Sequence, residues 1–215
     1  MNTRRALLAL LCLPALAWAA SDTTSTALDT YLHGLTTLQT QFTQTVTDSH
    51  GSVSETGSGT LLVQRPGKFR WDYTPEGAGD GARGQLLVAD GKNLWFYDRE
   101  LAQVSVKPVQ QALSATPVVL LSGTEAQLRD SFDVSSSGTH DGMDWVTIRP
   151  RSAQADFTAA QLGFARGELA RMQVSDRLGQ TVQLDFSHSQ RNAHLDPASL
   201  QFRAPAGVDV IGTPQ

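Results

Sequence analysis

LLVQRPGKFRWDY, residues Leu61 to Tyr73, reads as a strand that resumes after a turn at Pro66-Gly67. Strand side chains alternate with period two, so Phe69, Trp71 and Tyr73 fall on one side and Lys68, Arg70 and Asp72 on the other. Three successive aromatics therefore face inward. Two readings are open: they face the protein's own core, or they line a space for something the protein picks up. Arg65 stands immediately before the turn.

Period-two patterning continues on both sides of this stretch. Short segments rich in Val, Thr, Leu and aromatics recur at 42–48, 53–63, 68–73, 85–90, 93–97, 102–107, 132–136, 144–149, 157–164, 168–175 and 180–188. Turn signals separate them: Ser49-His50-Gly51, Pro66-Gly67, Asp90-Gly91, Asp141-Gly142, Arg166-Gly167 and Leu178-Gly179. Many short strands joined by tight turns predict an antiparallel sheet large enough to curl into a barrel or sandwich. Leu28, Tyr31, Leu32, Leu35, Leu38 and Phe42 are spaced by three and four, which predicts an amphipathic helix over 24–42. SATPVVLLSG, Ser114 to Gly123, predicts a short apolar helix between Pro117 and Gly123, with a buried strand as the alternative. EGAGDGARG, Glu76 to Gly84, is too rich in glycine for regular structure and reads as a mobile loop. No internal repeat and no interdomain linker is evident.

The first residues read as an address. Arg4 and Arg5 precede an apolar run and Ala17-Trp18-Ala19 offers a small-x-small cleavage site, which predicts a cleaved signal peptide over 1–19 and a single domain over 20–215. Cys12, the sole cysteine, lies in that run behind Leu11, where cleavage ahead of a lipid-modified cysteine would need a small residue. A cysteine-free exported chain suits a bacterial periplasm. Loss of Arg4 and Arg5 takes the formal charge from −4 to −6, which argues against nucleic acid as a partner.

Chemistry is hard to find. His33, His50, His140, His188 and His194 sit in no metal-ligand spacing and read as surface residues. No nucleophile elbow, phosphate loop, dinucleotide fingerprint or zinc-protease motif occurs. DGKN, Asp90 to Asn93, lacks the alternating acidic ligands of a calcium loop and reads as a hairpin turn. No cofactor and no metal is implied. A curved sheet with inward aromatics and two short apolar helices either shelters an apolar ligand or has its interior filled by those helices.

FTQTVTDSHG, SGTLLVQRPGKFRWDY, LLVADGKNLWFYD, TPVVLLSG and the closing FRAPAGVDVI occur in the order seen in the LolA family of periplasmic lipoprotein carriers, which this chain resembles over nearly its whole length beyond the leader. The resemblance implies an incompletely closed antiparallel β-barrel, mainly β, with a short α-helical lid over a hydrophobic cavity. It implies a monomeric periplasmic carrier and not an enzyme. Such carriers accept triacylated lipoproteins from an inner-membrane ABC transporter and deliver them to a LolB-like outer-membrane receptor. The LolB-like receptors share the fold but are lipoproteins themselves, which the leader here argues against. A rival of another class is a periplasmic sensor or enzyme domain acting on a lipid-like ligand.

The family's pattern implies that Arg65 reaches main-chain carbonyls of the lid at Leu32, Val118, Leu121 and Ser122. It assigns Phe69 to contact with the transporter and Trp71 to the cavity wall, with Leu28, Leu35, Leu38 and Leu120 as further acyl-chain contacts. Two departures stand out: Val118 replaces a familiar aromatic, and the 76–84 loop is long and glycine-rich.

Overall fold

The computed structural model describes residues 25–79, 83–109 and 118–215. The expected signal peptide lies outside these residues, as do parts of the 76–84 and 114–123 segments. Twelve strands form one sheet: β1 (Thr37–Thr47), β2 (Val53–Gln64), β3 (Lys68–Pro75), β4 (Gln85–Asp90), β5 (Asn93–Asp98), β6 (Gln103–Pro108), β7 (Phe132–His140), β8 (Met143–Pro150), β9 (Phe157–Ala165), β10 (Glu168–Asp176), β11 (Thr181–Arg191) and β12 (Asp209–Ile211). Their spatial order is β12-β6-β5-β4-β3-β2-β1-β11-β10-β9-β8-β7. Two antiparallel meanders, β1 to β6 and β7 to β11, are thus joined along β1 and β11. The sheet is open, since its edges β12 and β7 do not pair. One pairing departs from the antiparallel expectation: β12 runs parallel to β6.

The sheet curls because both halves bury one face in a shared core. Leu61, Val63 and Phe69 from one meander pack in the same cluster as Ile148, Leu162 and Met172 from the other. Removing such side chains from water supplies about 25 cal/mol per Å² of apolar area, and this favours closing the two halves on each other.

Among the described residues three short α-helices accompany the sheet: α1 (Ala27–Leu32), α2 (Val119–Ser122) and α3 (Glu125–Ser131). The expectation of one helix over 24–42 is wrong beyond Leu32. Thr26 and Asp29 form a capping box at the start of α1, while Gly34 at φ +69° ends the helical path. The chain then enters β1, where Leu38, Thr40 and Phe42 are buried in strict alternation. The spacing 35, 38, 42 fits a helical stripe by coincidence, and β-branched threonines every second or third residue favour the strand. Leu35 therefore lies in the connection and Leu38 on the sheet, neither on the lid.

The opposite face of β4 to β6 is also apolar. Val88 pairs with Trp95 and Leu86 with Tyr97, and Trp95 pairs with Val106 and Tyr97 with Val104. This outer patch is covered by the segment after β11, with Leu195 and Leu200 buried and the Phe202 ring 5.4 Å from Trp95 and 6.2 Å from Tyr97. A 3₁₀ turn at Pro197–Leu200, capped by Asp196, carries this cover across β3 and β4.

Candidate functional site

The inner face of β3 is built by its neighbours. Leu61 and Leu87 flank Trp71, while Val63 and Ala89 flank Phe69. Trp71 stacks on Phe42 with ring centroids 3.9 Å apart, and Tyr73 lies beyond at 6.5 Å from Phe42. Room for this stack comes from the glycines of β2: a Cβ on Gly59 would come within 2.5 Å of Phe42 Cζ, and one on Gly57 within 2.5 Å of the Tyr73 hydroxyl. Tyr73 donates its hydroxyl to Glu55 at the rim. Burial first, and then the neighbouring Glu55 carboxylate, push its pKa well above the usual tyrosine range.

Beside the stack lies a cavity of about 480 Å³. Its walls are Trp71, Leu87, Leu94 and Phe96 on one side, Met172, Val174, Val182 and Leu184 on the other, and Val118 from the start of the lid. Gln44, Gln85, Ser105, Lys107 and Asp156 are the polar groups around it. A larger recess of about 670 Å³ sits on the rim, but Glu55, Glu76, Arg83 and Glu100 make it polar and unsuited to an apolar ligand. The wall formed by β10 and β11 was not foreseen as part of the site. Its signal lay in the alternation of LARMQV and TVQLDF, which places Leu169, Met172, Val174, Val182 and Leu184 among buried or half-buried positions.

The lid is fastened at the β2–β3 turn. Arg65 Nη1 donates to the Leu32 carbonyl at 2.8 Å, and Nε and Nη2 both donate to the Gly123 carbonyl, at 3.1 and 2.8 Å. One planar guanidinium thus ties the end of α1 to the junction of α2 and α3. Burial lowers the Arg65 pKa from its ordinary value, and the Glu125 carboxylate opposes that shift. Among the other carbonyls named for Arg65, that of Ser122 accepts the Gly67 N–H at 2.7 Å and that of Val118 accepts the Leu121 N–H at 3.1 Å. Leu121 contributes its side chain to the core. Arg129 on α3 reaches Asp29 on α1 at 2.5 Å, a second tie between the helices.

Leu28, Leu32, Leu35, Leu38, Leu120 and Leu121 are all buried in the central cluster. Of the residues assigned to acyl chains, Trp71 is on the cavity wall, whereas Leu28, Leu35, Leu38 and Leu120 are packed into the core that the lid covers. Phe69, beside the turn, is 1% exposed, because period two turns it inward and the end of α2 packs over the turn.

His33, His50, His140, His188 and His194 are exposed. Asp90 accepts from the Lys92 and Asn93 amides and from the Trp95 indole, so DGKN is a turn closed by its own aspartate. Among the described residues no group of three His, Cys, Asp or Glu is placed to hold a metal ion, and no helix is long and apolar enough to cross a membrane. A largely apolar recess that opens to solvent, beside helices held by hydrogen bonds to main-chain atoms, is an arrangement suited to a ligand that enters and leaves.

The profile of the family described as "Outer membrane lipoprotein carrier protein LolA" matches residues 33–203. A protein of Methylococcus capsulatus named outer-membrane lipoprotein carrier protein is 39% identical over 206 residues, covering 94% of this chain and 96% of that protein. One of the same name from Chromobacterium violaceum is 37% identical, covering 98% and 96%. Among solved structures, an uncharacterized conserved protein from Thermus thermophilus shares the fold with a TM-score of 0.53 at 17% identity, covering 86% of this chain and 96% of that one. A LolA superfamily protein from Nitrosomonas europaea shares it with a TM-score of 0.50 at 11% identity, covering 82% and 96%.

Proposed function

Because the chain belongs to the LolA family of outer membrane lipoprotein carrier proteins, a family of carriers and not of enzymes, we propose that it accepts triacylated lipoproteins in the periplasm. It takes them from an inner-membrane ABC transporter, shields their acyl chains, and passes them to a LolB-like receptor on the outer membrane. No covalent bond changes in this cycle. The cover fastened by Arg65 over an apolar cavity is the observation that carries the reading.

The energetics favour such a device. Each CH₂ hidden from water contributes about 0.8 kcal/mol, so an acyl chain enters an apolar space readily. A cavity of about 480 Å³ is in the range that holds one small ligand, roughly 300–1,000 Å³, and three acyl chains need more. Lifting α1 and α2 would turn Leu28, Leu32, Leu120 and Leu121 from core into wall and provide that room. Release then requires that the latched, empty form be close in free energy to the loaded one, since a ligand shifts the balance only by its differential affinity. Arg65, donating only in the latched form, supports that balance, and Phe69 becomes reachable by the transporter only once the lid has moved.

The test is a two-step transfer. The chain lacking residues 1–19 is mixed with vesicles holding the lipoprotein-releasing transporter, ATP and a labelled triacylated lipoprotein. A soluble complex of carrier and chemically unaltered lipoprotein is expected, followed by transfer to purified receptor. Lipoprotein that stays in the vesicles, or that emerges deacylated, would refute the reading.

A further inference from the structure

A second arginine reaches α1 from the other side of β1. Arg191 is the last residue of β11, in register with Leu38. Its Nη2 donates to the Tyr31 carbonyl at 2.8 Å, its guanidinium carbon lies 4.7 Å from the centre of the Tyr31 ring, and its Nη1 is 3.6 Å from Glu168 Oε1. Since β2 and β11 flank β1, Arg65 and Arg191 approach the helix end from both flanks and take consecutive carbonyls, Leu32 and Tyr31. The last carbonyls of a helix lack intrahelical donors and carry the negative end of its dipole, so cations are favoured there. α1 has only six residues and would not hold its shape undocked.

The two arginines differ in reach. Arg65 bridges α1 and Gly123, so its release loosens both parts of the lid. Arg191 holds α1 alone, through the Tyr31 carbonyl and ring. We propose that Arg191 is a second latch, a positioning residue that keeps α1 seated after Arg65 lets go, so that the α2 side of the lid lifts first and α1 follows. This rests on the lid reading of the preceding section. The same contact carries a built-in penalty: the Tyr31 hydroxyl and Arg191 Nε are buried and have no hydrogen-bond partner among the described residues. Burying unpaired polar groups is costly, and water satisfies both when α1 lifts. A strong clasp on the Tyr31 carbonyl and two orphaned groups beside it oppose each other, which suits a contact that must be both made and released.

Amide hydrogen exchange on the empty protein tests this without cargo. The Thr30 and His33 amides report on α1, the Leu121 amide on α2, and the amides of β2 and β3 on the sheet. Arg191→Leu is expected to speed exchange in α1 about tenfold, the equivalent of about 1.4 kcal/mol, and to leave Leu121 and the sheet unchanged. Arg65→Leu is expected to speed Leu121 exchange and to speed α1 exchange less, because Arg191 still holds the Tyr31 carbonyl. Arg191→Lys, which keeps the charge over the Tyr31 ring and one donor, restores part of the protection, and Tyr31→Phe, which deletes one orphan, slows α1 exchange below wild type. Unchanged exchange in α1, or an equal rise in α1 and Leu121, overturns the second latch. Where Arg191→Leu also exposes the sheet amides, Arg191→Lys and Tyr31→Phe decide by the same criteria. Failure of lipoprotein transfer with this exchange pattern intact overturns the carrier reading and leaves the latch standing.

Discussion

Replacing Arg65 with leucine deletes three donors, two of which share the Gly123 oxygen while the third serves the Leu32 carbonyl. Leu32 keeps the Leu35 N–H at 3.1 Å as a fallback, whereas Gly123 is buried. Hydrogen bonds to charged groups contribute about 1.5–3 kcal/mol each. Counting the shared pair once, and discounting for the half-buried guanidinium, the latched form loses on the order of 3 kcal/mol, roughly a hundredfold in the ratio of latched to lifted lid. A ligand that enters only the lifted form has an apparent Kd equal to its intrinsic Kd divided by the lifted fraction. If about one molecule in a hundred is lifted in the wild type, about half are lifted in the variant, and affinity tightens about fiftyfold. The assay is titration with a fluorescent apolar probe, followed by transfer of bound lipoprotein to receptor. Tighter probe binding and slower transfer are expected. Wild-type affinity and wild-type transfer, in a variant whose sheet melts normally, would refute the latch.

Gly59→Val sets a Cβ 2.5 Å from Phe42 Cζ and 2.0 Å from the Asp72 carbonyl oxygen; it should destabilise the fold by about 1–3 kcal/mol or more in urea titration, and wild-type stability would show that the aromatic stack yields. Phe69→Ala should cost about 3–5 kcal/mol as a core truncation; a variant that keeps its Tm but cannot load would show that partner contact, and not packing, is the main task of Phe69. Burial raises the Asp29 pKa, but Thr26 and Arg129 outweigh it and leave the pKa below its ordinary value. Its contribution to the docking of α1 is therefore complete above the unfolded pKa of about 3.9 and is lost as pH falls through the lower folded value; exchange in α1 should rise over that range ahead of exchange in the sheet, and Asp29→Asn should abolish that dependence. The Gly67 N–H to Ser122 carbonyl contact brings the turn and α2 together, so Gly67→Cys with Ser122→Cys, once oxidised, should block probe entry and admit it after reduction, while equal entry in both states would exclude gating by α2.

The sheet was legible because most hairpins announce themselves twice, by period two in the strands and by a glycine at the turn. Asp141-Gly142 and Arg166-Gly167 are examples, with Asp141 and Arg166 themselves at positive φ; the β5–β6 turn, Arg99 to Ala102, is an exception. α1 was overextended because Leu35, Leu38 and Phe42 satisfy both a helical and, with Thr40, a strand spacing; Gly34 was the discriminating residue. α3 went unnoticed although Thr124 and Gln127 form a capping box, and β12 because three residues carry too little pattern. The cavity wall from β10 and β11 could be read as buried but not as facing a void, since alternation reports the face and not what fills the space before it. Arg65 stood out through the family likeness, whereas its Gly123 acceptor depends on where two distant segments meet in three dimensions.

The cover on the outer face of β4 to β6 has a mechanical meaning. Trp95, Tyr97 and Phe202 grip the strands from behind, together with Leu195 and Leu200, on the face away from the cavity wall formed by Leu87, Leu94 and Phe96. The inner contacts of the same strands can be surrendered to a guest while the rear contacts hold spacing and twist. On the proposed carrier reading, compliance would be confined to the small helices, and the half-barrel would act as a braced frame for a hinged cover, stiff when vacant and when full.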